Sequence, residues 1–252
     1  MSGETNDLTA VMALQRQHCS QRSFRDRPVD ESLLLSILES AQCAASSSFI
    51  QGYSIVRITD GAARAAIAKA AGDQAWVVEA PEFLVFCADL LRSNEACRLS
   101  GRGTLGEYTE QFLAAIIDTA LLAQNVALAA ESAGLGGVFI GGIRNDPALI
   151  ADILSLPPLV FPAFGFCLGW PDEPCEPKPR MPLEAVLHTD RYDRDKVADQ
   201  LRAYDRVMAD YYASRSRNRK QSDWTEQTAA TLQKKKRAHM LAFLRRQGFL
   251  RR

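Results

Sequence analysis

The sequence predicts a core that mixes α-helices and β-strands, followed by a helical extension at the C-terminus. Up to residue 170, short runs rich in β-branched and aromatic residues, which are typical of strands, alternate with segments of helical apolar periodicity. From Tyr192 onward the chain is helical and basic. Its 252 residues, 47% of them apolar, can bury a sizeable core. We expect a single domain over residues 1–252, with the core at about residues 8–190 and the extension at about 191–252.

Two short helices are predicted near the start of the chain. Apolar residues recur at helical spacing in residues 8–17 and again in residues 31–41. Asp30 is well placed to cap the second helix, because its side chain can accept a hydrogen bond from a free backbone amide. A polar segment, residues 18–24, lies between the two helices.

Three strands are expected from their β-branched and aromatic residues, at residues 54–59, 82–87 and 161–170. Residues 62–71 lie between the first two strands and have the composition of a surface helix. In the third strand, small residues at alternate positions allow close packing.

The longest helical pattern covers residues 107–133 and is apolar on more than one face. We therefore expect burial on most sides, either at the centre of the fold or at the seam of a dimer. Gly134 ends the pattern. Residues 138–140 then form a short strand that leads into a turn at Gly141 and Gly142, where backbone can approach a ligand.

The extension combines a helical segment at residues 203–212 with basic clusters at residues 214–220 and 234–237. In the chain as a whole, 30 Lys and Arg balance 30 Asp and Glu. The composition therefore gives no support for non-specific binding to nucleic acid or to an acidic membrane. Small molecules are the expected partners.

Six cysteines are scattered without a CxxC pair and without histidines at zinc-ligand spacing, so we expect reduced thiols and no metal site. The N-terminal residues lack the features of a signal peptide. The longest apolar stretch is interrupted by Asp118, Gln124 and Asn125 and does not predict a membrane span. A cytoplasmic protein is expected.

Two remote groups of polar residues suggest one discrete anionic ligand. His18, Ser20 and Arg22 follow the first helix, whereas Lys178 and Arg180 lie on a proline-rich loop. Because the net charge is zero, such local cations favour a phosphate-bearing cofactor over a polyanion. Each group also has a simple structural explanation, as a helix end or as solvated loop charges.

Common nucleotide and nucleophile motifs are not found in the sequence. Gly141 and Gly142 do not satisfy the G-x-G-x-x-G fingerprint of dinucleotide-binding folds, and Gly101-Arg102-Gly103 is not a P-loop. No G-x-S-x-G motif supports a serine nucleophile.

In combination, the motifs resemble the nitroreductase family, and within it the oxygen-insensitive NADPH nitroreductases and the NADPH-flavin oxidoreductases. The resemblance covers nearly the whole chain. The segments that carry it are His18-x-Ser20-x-Arg22, Ser46-Ser47-Ser48-Phe49-x-Gln51, Glu131-Ser132-x-Gly134-Leu135-Gly136-Gly137-Val138-Phe139-Ile140-Gly141-Gly142, Gly165-x-Cys167-Leu168-Gly169-Trp170-Pro171 and Lys178-Pro179-Arg180-x-Pro182.

The resemblance implies an α+β fold with a nitroreductase-like mixed central β-sheet flanked by helices and a C-terminal helical extension. It also implies a homodimer that binds FMN non-covalently in two sites at the dimer interface. The cofactor-binding residues that it implies are, in chain order, His18, Cys19, Ser20, Arg22, Ser46, Ser48, Gln74, Ile140, Gly141, Gly142, Lys178 and Arg180.

The resemblance implies a different role for each group of these residues. The residues around His18, together with Lys178 and Arg180, would bind the phosphate and ribityl chain. Ser46 and Ser48 would line the cofactor from the partner subunit, and the remaining residues would contact the isoalloxazine ring. The substrate and NADPH would be bound by Ser48, Phe49, Glu110, Arg215, Lys220 and Arg237.

The chain departs from the family pattern at three places. Cys19 stands where an arginine is common, and Lys220 stands where an arginine is usual in the loop that selects NADPH. Residues 92–106, which we interpret as a loop over the substrate cavity, form a longer segment than in close relatives.

The activity implied is an FMN-dependent NADPH oxidoreductase that reduces nitroaromatics, quinones or related electrophiles by a two-electron ping-pong mechanism. Two alternatives remain open at this point. The protein could be an NADPH-flavin reductase that supplies reduced FMN to a partner. It could also be a non-catalytic flavin-binding module, or an interaction protein that uses the basic residues 234–237.

Overall fold

The computed structural model describes residues 8–214, 222–234 and 237–252. The helices among these residues are α1 (Ala10–Arg16), α2 (Glu31–Ala41), α3 (Gly61–Ala70), α4 (Trp76–Glu79), α5 (Leu91–Leu99), α6 (Thr109–Ser132), α7 (Pro147–Ile153), α8 (Val197–Ser214), α9 (Trp224–Lys234) and α10 (Met240–Arg246). The strands are β1 (Tyr53–Arg57), β2 (Glu82–Asp89), β3 (Gly136–Ile140) and β4 (Val160–Gly169). Short 3₁₀ turns occur at Ser47–Phe49, Gly141–Asn145 and Leu183–Ala185.

The described residues group into two compact units. The first contains the residues up to Cys175 together with Arg237–Arg252, and the second lies within Glu176–Lys236. This boundary precedes the expected start of the extension near residue 191. The single FMN-binding domain stays a prediction.

The sheet of the first unit has the strand order β1-β2-β4-β3, and all its pairings among the described strands are antiparallel. The central strands β2 and β4 are almost entirely buried, which explains why their sequences are continuously apolar and not alternating. β1 and β3 form the two edges. The predicted α+β class with flanking helices is confirmed, although no pair among the described strands is parallel.

Alternate residues of β2 face two separate cores, as the period of two of a strand requires. Leu84 and Phe86 pack with α2 and α6 on one face of the sheet. Phe83 and Val85 pack with α3, α4 and α7 on the other face. The sheet therefore separates the α6 side of the unit from the α3 side.

Helix α6 is the central helix of the first unit and was expected to be buried on most sides. One of its faces is buried against the sheet, but Leu113, Ile117 and Leu121 remain 43–56% exposed in the single chain. Among the described helices it alone has the length and hydropathy of a membrane span, a test that core helices of soluble proteins also pass. The exposed row is therefore a candidate contact surface.

The last residues of the chain rejoin the first unit. The Leu159 amide donates to the Gln247 carbonyl at 2.7 Å, and Phe243 and Phe249 pack against Phe161 and Phe112. The extension expected from about residue 191 to the end is therefore not continuous, because its final apolar residues complete the core of the first unit.

The second unit has a small core of its own. Tyr204, Met208 and Tyr212 lie one helical turn apart on α8 and are buried, with Trp224 at the start of α9 against them. The prediction of a helix over residues 203–212 is confirmed, and the helix is longer than predicted.

Residues 92–106 are not simply a loop, because α5 occupies Leu91–Leu99. An ion pair between Glu95 and Arg98, one turn apart, lies along the exposed helix. The Asn94 side chain accepts a hydrogen bond from the Leu105 amide at 2.9 Å. This bond holds the segment after α5 against the helix. This helix was not predicted from the sequence, because few of its residues are apolar and it therefore shows no clear apolar periodicity.

Candidate functional site

The segment that contains His18 is attached to the end of α6. The His18 Nδ1 atom lies 2.5 Å from Oε1 of Glu131, and both side chains are partly buried. His18 was predicted from the sequence as a phosphate-binding residue. Its partner Glu131 belongs to a motif in the sequence, but its role as an anchor for the histidine was missed.

Gln21 fixes the next part of this segment and is only 4% exposed. Its amide N–H donates to the Gly137 carbonyl at 2.9 Å, so the segment runs beside the edge strand β3. Its side-chain Nε2 donates to the Ser23 carbonyl at 2.5 Å and to the Glu173 carbonyl at 3.2 Å. The segment is thus held on both sides by hydrogen bonds, and those of the Gln21 side chain are partly buried.

A disulfide joins Cys19 to Cys175, with the two Cα atoms 6.1 Å apart. The expectation of six reduced thiols is therefore wrong for this pair. Even counts of cysteine permit many pairings, and the sequence does not reveal that the fold brings two partly exposed thiols together over 156 residues. Cys43, Cys87, Cys97 and Cys167 are free, and burial raises the pKa of Cys87 and of Cys167 to about 12.

Arg22 extends from this segment toward the α3 side of the sheet. Its guanidinium carbon lies 5.6 Å from the centre of the Trp76 ring, and Nη1 donates to the Ser20 carbonyl at 3.4 Å. Two residues before Trp76, the Gln74 side chain donates to the Ala71 carbonyl at 2.7 Å. Arg22 therefore contacts the ring of Trp76, two residues after Gln74 in the chain.

Gly142 packs directly against Gln74. A Cβ atom at Gly142 would lie 2.3 Å from the Ala71 carbonyl oxygen and 2.4 Å from Gln74 Nε2, so no larger residue fits without displacement of backbone. Gly141 and Gly142 are partly exposed, whereas Ile140 is completely buried. The surface open to a ligand at this turn is therefore that of the two glycines.

Arg237 holds the same turn from behind. Its guanidinium donates to the Gly141 carbonyl at 2.9 Å and to the Asn145 side chain at 2.9 Å. The Arg144 guanidinium lies under Gly141 and donates to the Ala163 carbonyl; burial, and then the Arg237 charge, lower the pKa of Arg144. Two cations therefore support the glycine turn. Arg237 was predicted to bind NADPH, and its contacts here are to the protein.

The Ser46-Ser47-Ser48-Phe49 segment lies on the other side of the sheet, against α6. Asp118 of α6 accepts hydrogen bonds from the Ser47 and Gly52 amides at 2.8 and 3.1 Å. Phe49 is 82% exposed, and Glu110, also exposed, lies in the first turn of α6.

The site residues of the first unit therefore form two groups in a single chain. The α3-side group contains Arg22, Gln74, Gly141, Gly142 and Arg237, whereas Ser46, Ser48, Phe49 and Glu110 belong to the α6 side.

Lys178 and Arg180 belong to the second unit. Arg180 Nη1 donates to the Lys178 carbonyl at 3.2 Å, and the Tyr204 hydroxyl donates to the Pro179 carbonyl at 2.8 Å. The two cations line a cavity of about 520 Å³ with Tyr204 and Trp224. Arg215 and Lys220 lie outside the described residues.

The residues of the α3-side group fit a phosphate-bearing aromatic cofactor. The exposed Arg22 guanidinium can pair with a phosphate oxygen, and the glycine turn lets a planar ring approach backbone. Trp76 Nε1 is buried on the α3 side, and Ser46 Oγ is buried on the α6 side; neither atom has a hydrogen-bond partner among the described residues. Hydrogen-bond donors, a cation and an open backbone surface are thus present.

Sequence reasoning missed the residues that hold the predicted ligands in place, above all Gln21, Asp118 and Arg144. For Asp118 a signal existed, because a carboxylate within an apolar helical pattern must find partners if that helix is buried. Gln21 and Arg144 carry no such signal, since polar residues next to a turn are usually solvated.

The family comparisons place a boundary near the start of the second unit, but they assign residues 237–252 to the C-terminal domain, whereas the structure groups these residues with the first unit. The family model of the nitroreductase family matches residues 15–170. The model described as the C-terminal domain of that family matches residues 178–252.

Individual relatives match over nearly their whole lengths. The oxygen-insensitive NADPH nitroreductase of Salmonella typhimurium is 42% identical over 96% of this chain and 99% of its own. The solved structure of a nitroreductase from B. subtilis has a TM-score of 0.91 and 34% identity, and covers 96% of this chain and 100% of its own. An NADPH:FMN oxidoreductase from Vibrio harveyi, solved with NAD+, has a TM-score of 0.86 and 36% identity, with 96% and 99% covered.

Proposed function

The chain belongs to the nitroreductase family, and on this premise we propose that it is an FMN-dependent NADPH oxidoreductase that reduces nitroaromatics, quinones or related electrophiles. The observation that supports the proposal is the packing of Gly142 on Gln74, with Arg22 over the nearby Trp76 ring, because the resemblance implies that Arg22, Gln74, Gly141 and Gly142 contact the flavin. The non-catalytic alternative is not proposed, since the relatives of known activity are oxidoreductases. A cytoplasmic location remains an expectation.

When bound, FMN would supply the redox chemistry of a ping-pong cycle, which is hydride transfer from the reduced nicotinamide followed by two-electron reduction of the second substrate. The protein supplies orientation and charge. In the proposal, His18, Ser20 and Arg22 bind the phosphate and ribityl chain, with Lys178 and Arg180 as further phosphate ligands.

The glycine turn orients the cofactor ring in this proposal. Arg237 fixes the Gly141 carbonyl and Asn145, so the backbone of the turn is held before any ligand arrives. Arg144 and Arg237 also place positive charge behind the turn, and preorganised charge of this kind favours an electron-rich state of a bound ring. The Gln74 amide is held by the Ala71 carbonyl beside it.

The separation of the two groups of site residues supports a homodimer. Ser46, Ser48 and Phe49 lie on the α6 side of the sheet, so they serve the partner's cofactor if two copies meet along α6. The exposed row of Leu113, Ile117 and Leu121 supports this seam, because a helix face of this kind is costly to leave in water.

We expect Ile117→Glu to weaken the dimer, because it places a charge in the centre of this apolar row. Analytical ultracentrifugation at micromolar concentration should give twice the mass of one chain for the natural protein and a shift toward the single-chain mass for the variant. Leu149→Glu is the matched control, since Leu149 is 40% exposed on α7, away from the seam. A natural protein that sediments as a single chain with bound FMN would refute the shared site.

NADPH is expected to be used more efficiently than NADH, because Arg215 and Lys220 lie where the resemblance places contacts to the 2′-phosphate. Only NADPH carries the 2′-phosphate, so cations that pair with this group favour NADPH strongly. Lysine at position 220 offers a single point charge, which matches the phosphate less well than the bidentate guanidinium of arginine. Comparison of kcat/KM for the two nucleotides should show Arg215→Ala losing efficiency with NADPH more than with NADH. Equal losses with both would contradict this role.

Anaerobic mixing of the purified protein with NADPH tests the proposed activity itself. Prompt loss of the yellow flavin absorbance, restored by a nitroaromatic or a quinone, is the expected result. A folded protein that cannot be reconstituted with FMN would overturn the proposal. Much faster turnover with free flavin than with the electrophiles would instead favour the flavin reductase alternative.

A further inference from the structure

Asp118 is a buried carboxylate that contacts both ends of one loop. It lies in the middle of α6, is 1% exposed, and is one of the most buried charged residues of the described chain. Oδ1 accepts the Ser47 amide at 2.8 Å, and Oδ2 accepts the Gly52 amide at 3.1 Å. Each carboxylate oxygen therefore ties one end of residues 46–52, which we call the anchored loop.

The backbone of the anchored loop is strained between these two contacts. Ser48, Phe49 and Gln51 have φ angles of 48°, 58° and 55°, in the left-handed region that side-chain-bearing residues seldom adopt. Such conformations persist only where the surroundings determine them. Within the loop, the Ile50 amide donates to the Ser47 carbonyl at 2.9 Å, but this bond fixes one turn and not its attachment to the protein.

Close packing seats the loop directly on α6. A Cβ atom at Gly52 would lie 3.1 Å from Cα and Cβ of Ala115, one turn before Asp118. Arg92 donates to the Tyr53 carbonyl just after the loop. The side chains at the outer end of the loop remain free of this packing, and Phe49 in particular is 82% exposed.

We propose that Asp118 is a positioning residue, which holds the anchored loop so that Ser48 and Phe49 face the flavin site of the partner subunit. The proposal rests on the proposed function for the identity of that site. The carboxylate does not contact the substrate; it acts through the Ser47 and Gly52 amides. It places an apolar ring and a hydroxyl at the seam in a conformation that the loop would not keep by itself.

An uncharged amide of the same shape cannot replace this carboxylate. In Asp118→Asn, the side-chain oxygen can accept one of the two amides, but the NH2 group faces the other amide as a second donor. A buried amide then loses its acceptor, which is costly. The substitution therefore releases one end of the anchored loop while leaving the volume of α6 unchanged.

Hydrogen–deuterium exchange on the purified, full-length protein measures this release directly. We expect amides of residues 46–52 to exchange about tenfold faster or more in Asp118→Asn, since a charge-assisted hydrogen bond is worth at least that factor. Thr119→Val is the matched control. Thr119 is also fully buried on α6, but its hydroxyl contacts the Ala115 and Cys87 carbonyls and not the loop, so this variant should leave the exchange of residues 46–52 unchanged.

Steady-state kinetics supply the second readout. Asp118→Asn should lower kcat/KM for the electron acceptor at least severalfold, because Phe49 borders the acceptor cavity, while the rate of flavin reduction changes less, because saturating NADPH offsets a loss of nucleotide binding. Unchanged exchange in residues 46–52, or an equal change in Thr119→Val, would overturn the positioning role. If the natural protein binds no FMN, the proposed function fails, whereas the exchange result still decides whether Asp118 holds the loop.

Ser47→Pro breaks the same contact from the loop side, should Asp118→Asn fail to fold. Ser47 begins a 3₁₀ turn, where proline is tolerated, and the preceding Ser46 has the extended backbone that a following proline requires. The substitution removes the Ser47 N–H without touching α6. Faster exchange around Gly52 and the same loss of acceptor efficiency support the proposal; natural behaviour in both measurements contradicts it.

Discussion

Arg22→Ala is expected to weaken FMN binding roughly ten- to a hundredfold, because a charge-assisted hydrogen bond to phosphate is worth about 1.5–3 kcal/mol. Arg22 is exposed, and its recorded contacts are to the Ser20 carbonyl and the Trp76 ring. No core packing depends on it, so the fold of the cofactor-free protein should be unchanged. Titration of FMN into that protein, followed by flavin fluorescence, gives the dissociation constant.

A matched control for Arg22→Ala is Arg98→Ala. Like Arg22, Arg98 is an exposed arginine, but it lies on α5, pairs with Glu95 and is not a predicted ligand. Its removal should leave FMN affinity unchanged. Lys178→Ala should reproduce the loss seen with Arg22→Ala. If both Arg22→Ala and Lys178→Ala bind FMN like the natural protein, the phosphate site is not where we place it.

Loss of the Cys19–Cys175 disulfide is expected to lower the free energy of unfolding by about 2–5 kcal/mol, the usual cost of removing a native disulfide. The cross-link spans 156 residues and therefore restricts the unfolded chain strongly. It also fixes the segment that contains His18 to the segment after β4. Urea unfolding of Cys175→Ser beside the natural protein measures the difference.

The free thiol Cys43 provides the control for this substitution. Cys43 is exposed and unpaired, so Cys43→Ser should unfold at the same urea concentration as the natural protein. Thiol titration in denaturant should count four thiols before reduction and six afterward. Six thiols before reduction in an oxidising buffer, or equal stability of Cys175→Ser, would contradict the cross-link.

Local sequence signals predicted the elements whose patterns are strong. The α2 prediction is confirmed over residues 31–41, because apolar spacing and the Asp30 cap both act within a few residues; the Asp30 side chain accepts the Ser32 amide. The strand over residues 82–87 is likewise confirmed within β2. Helix α5 was not predicted, since it has few apolar residues.

The sequence by itself determined the α+β class, the family and most of the residues that can contact a flavin, because motifs and periodicities are properties of neighbouring positions. Only the tertiary structure decided how those residues are grouped. The pairing of Cys19 with Cys175, the anchoring of His18 by Glu131 and the support of Gly141 by Arg237 join positions that are 96 to 156 residues apart. Such contacts depend on how the sheet and α6 pack, and no local pattern encodes that packing. The separation of Ser46 and Phe49 from the glycine turn has the same cause, since it depends on which face of the sheet each segment reaches.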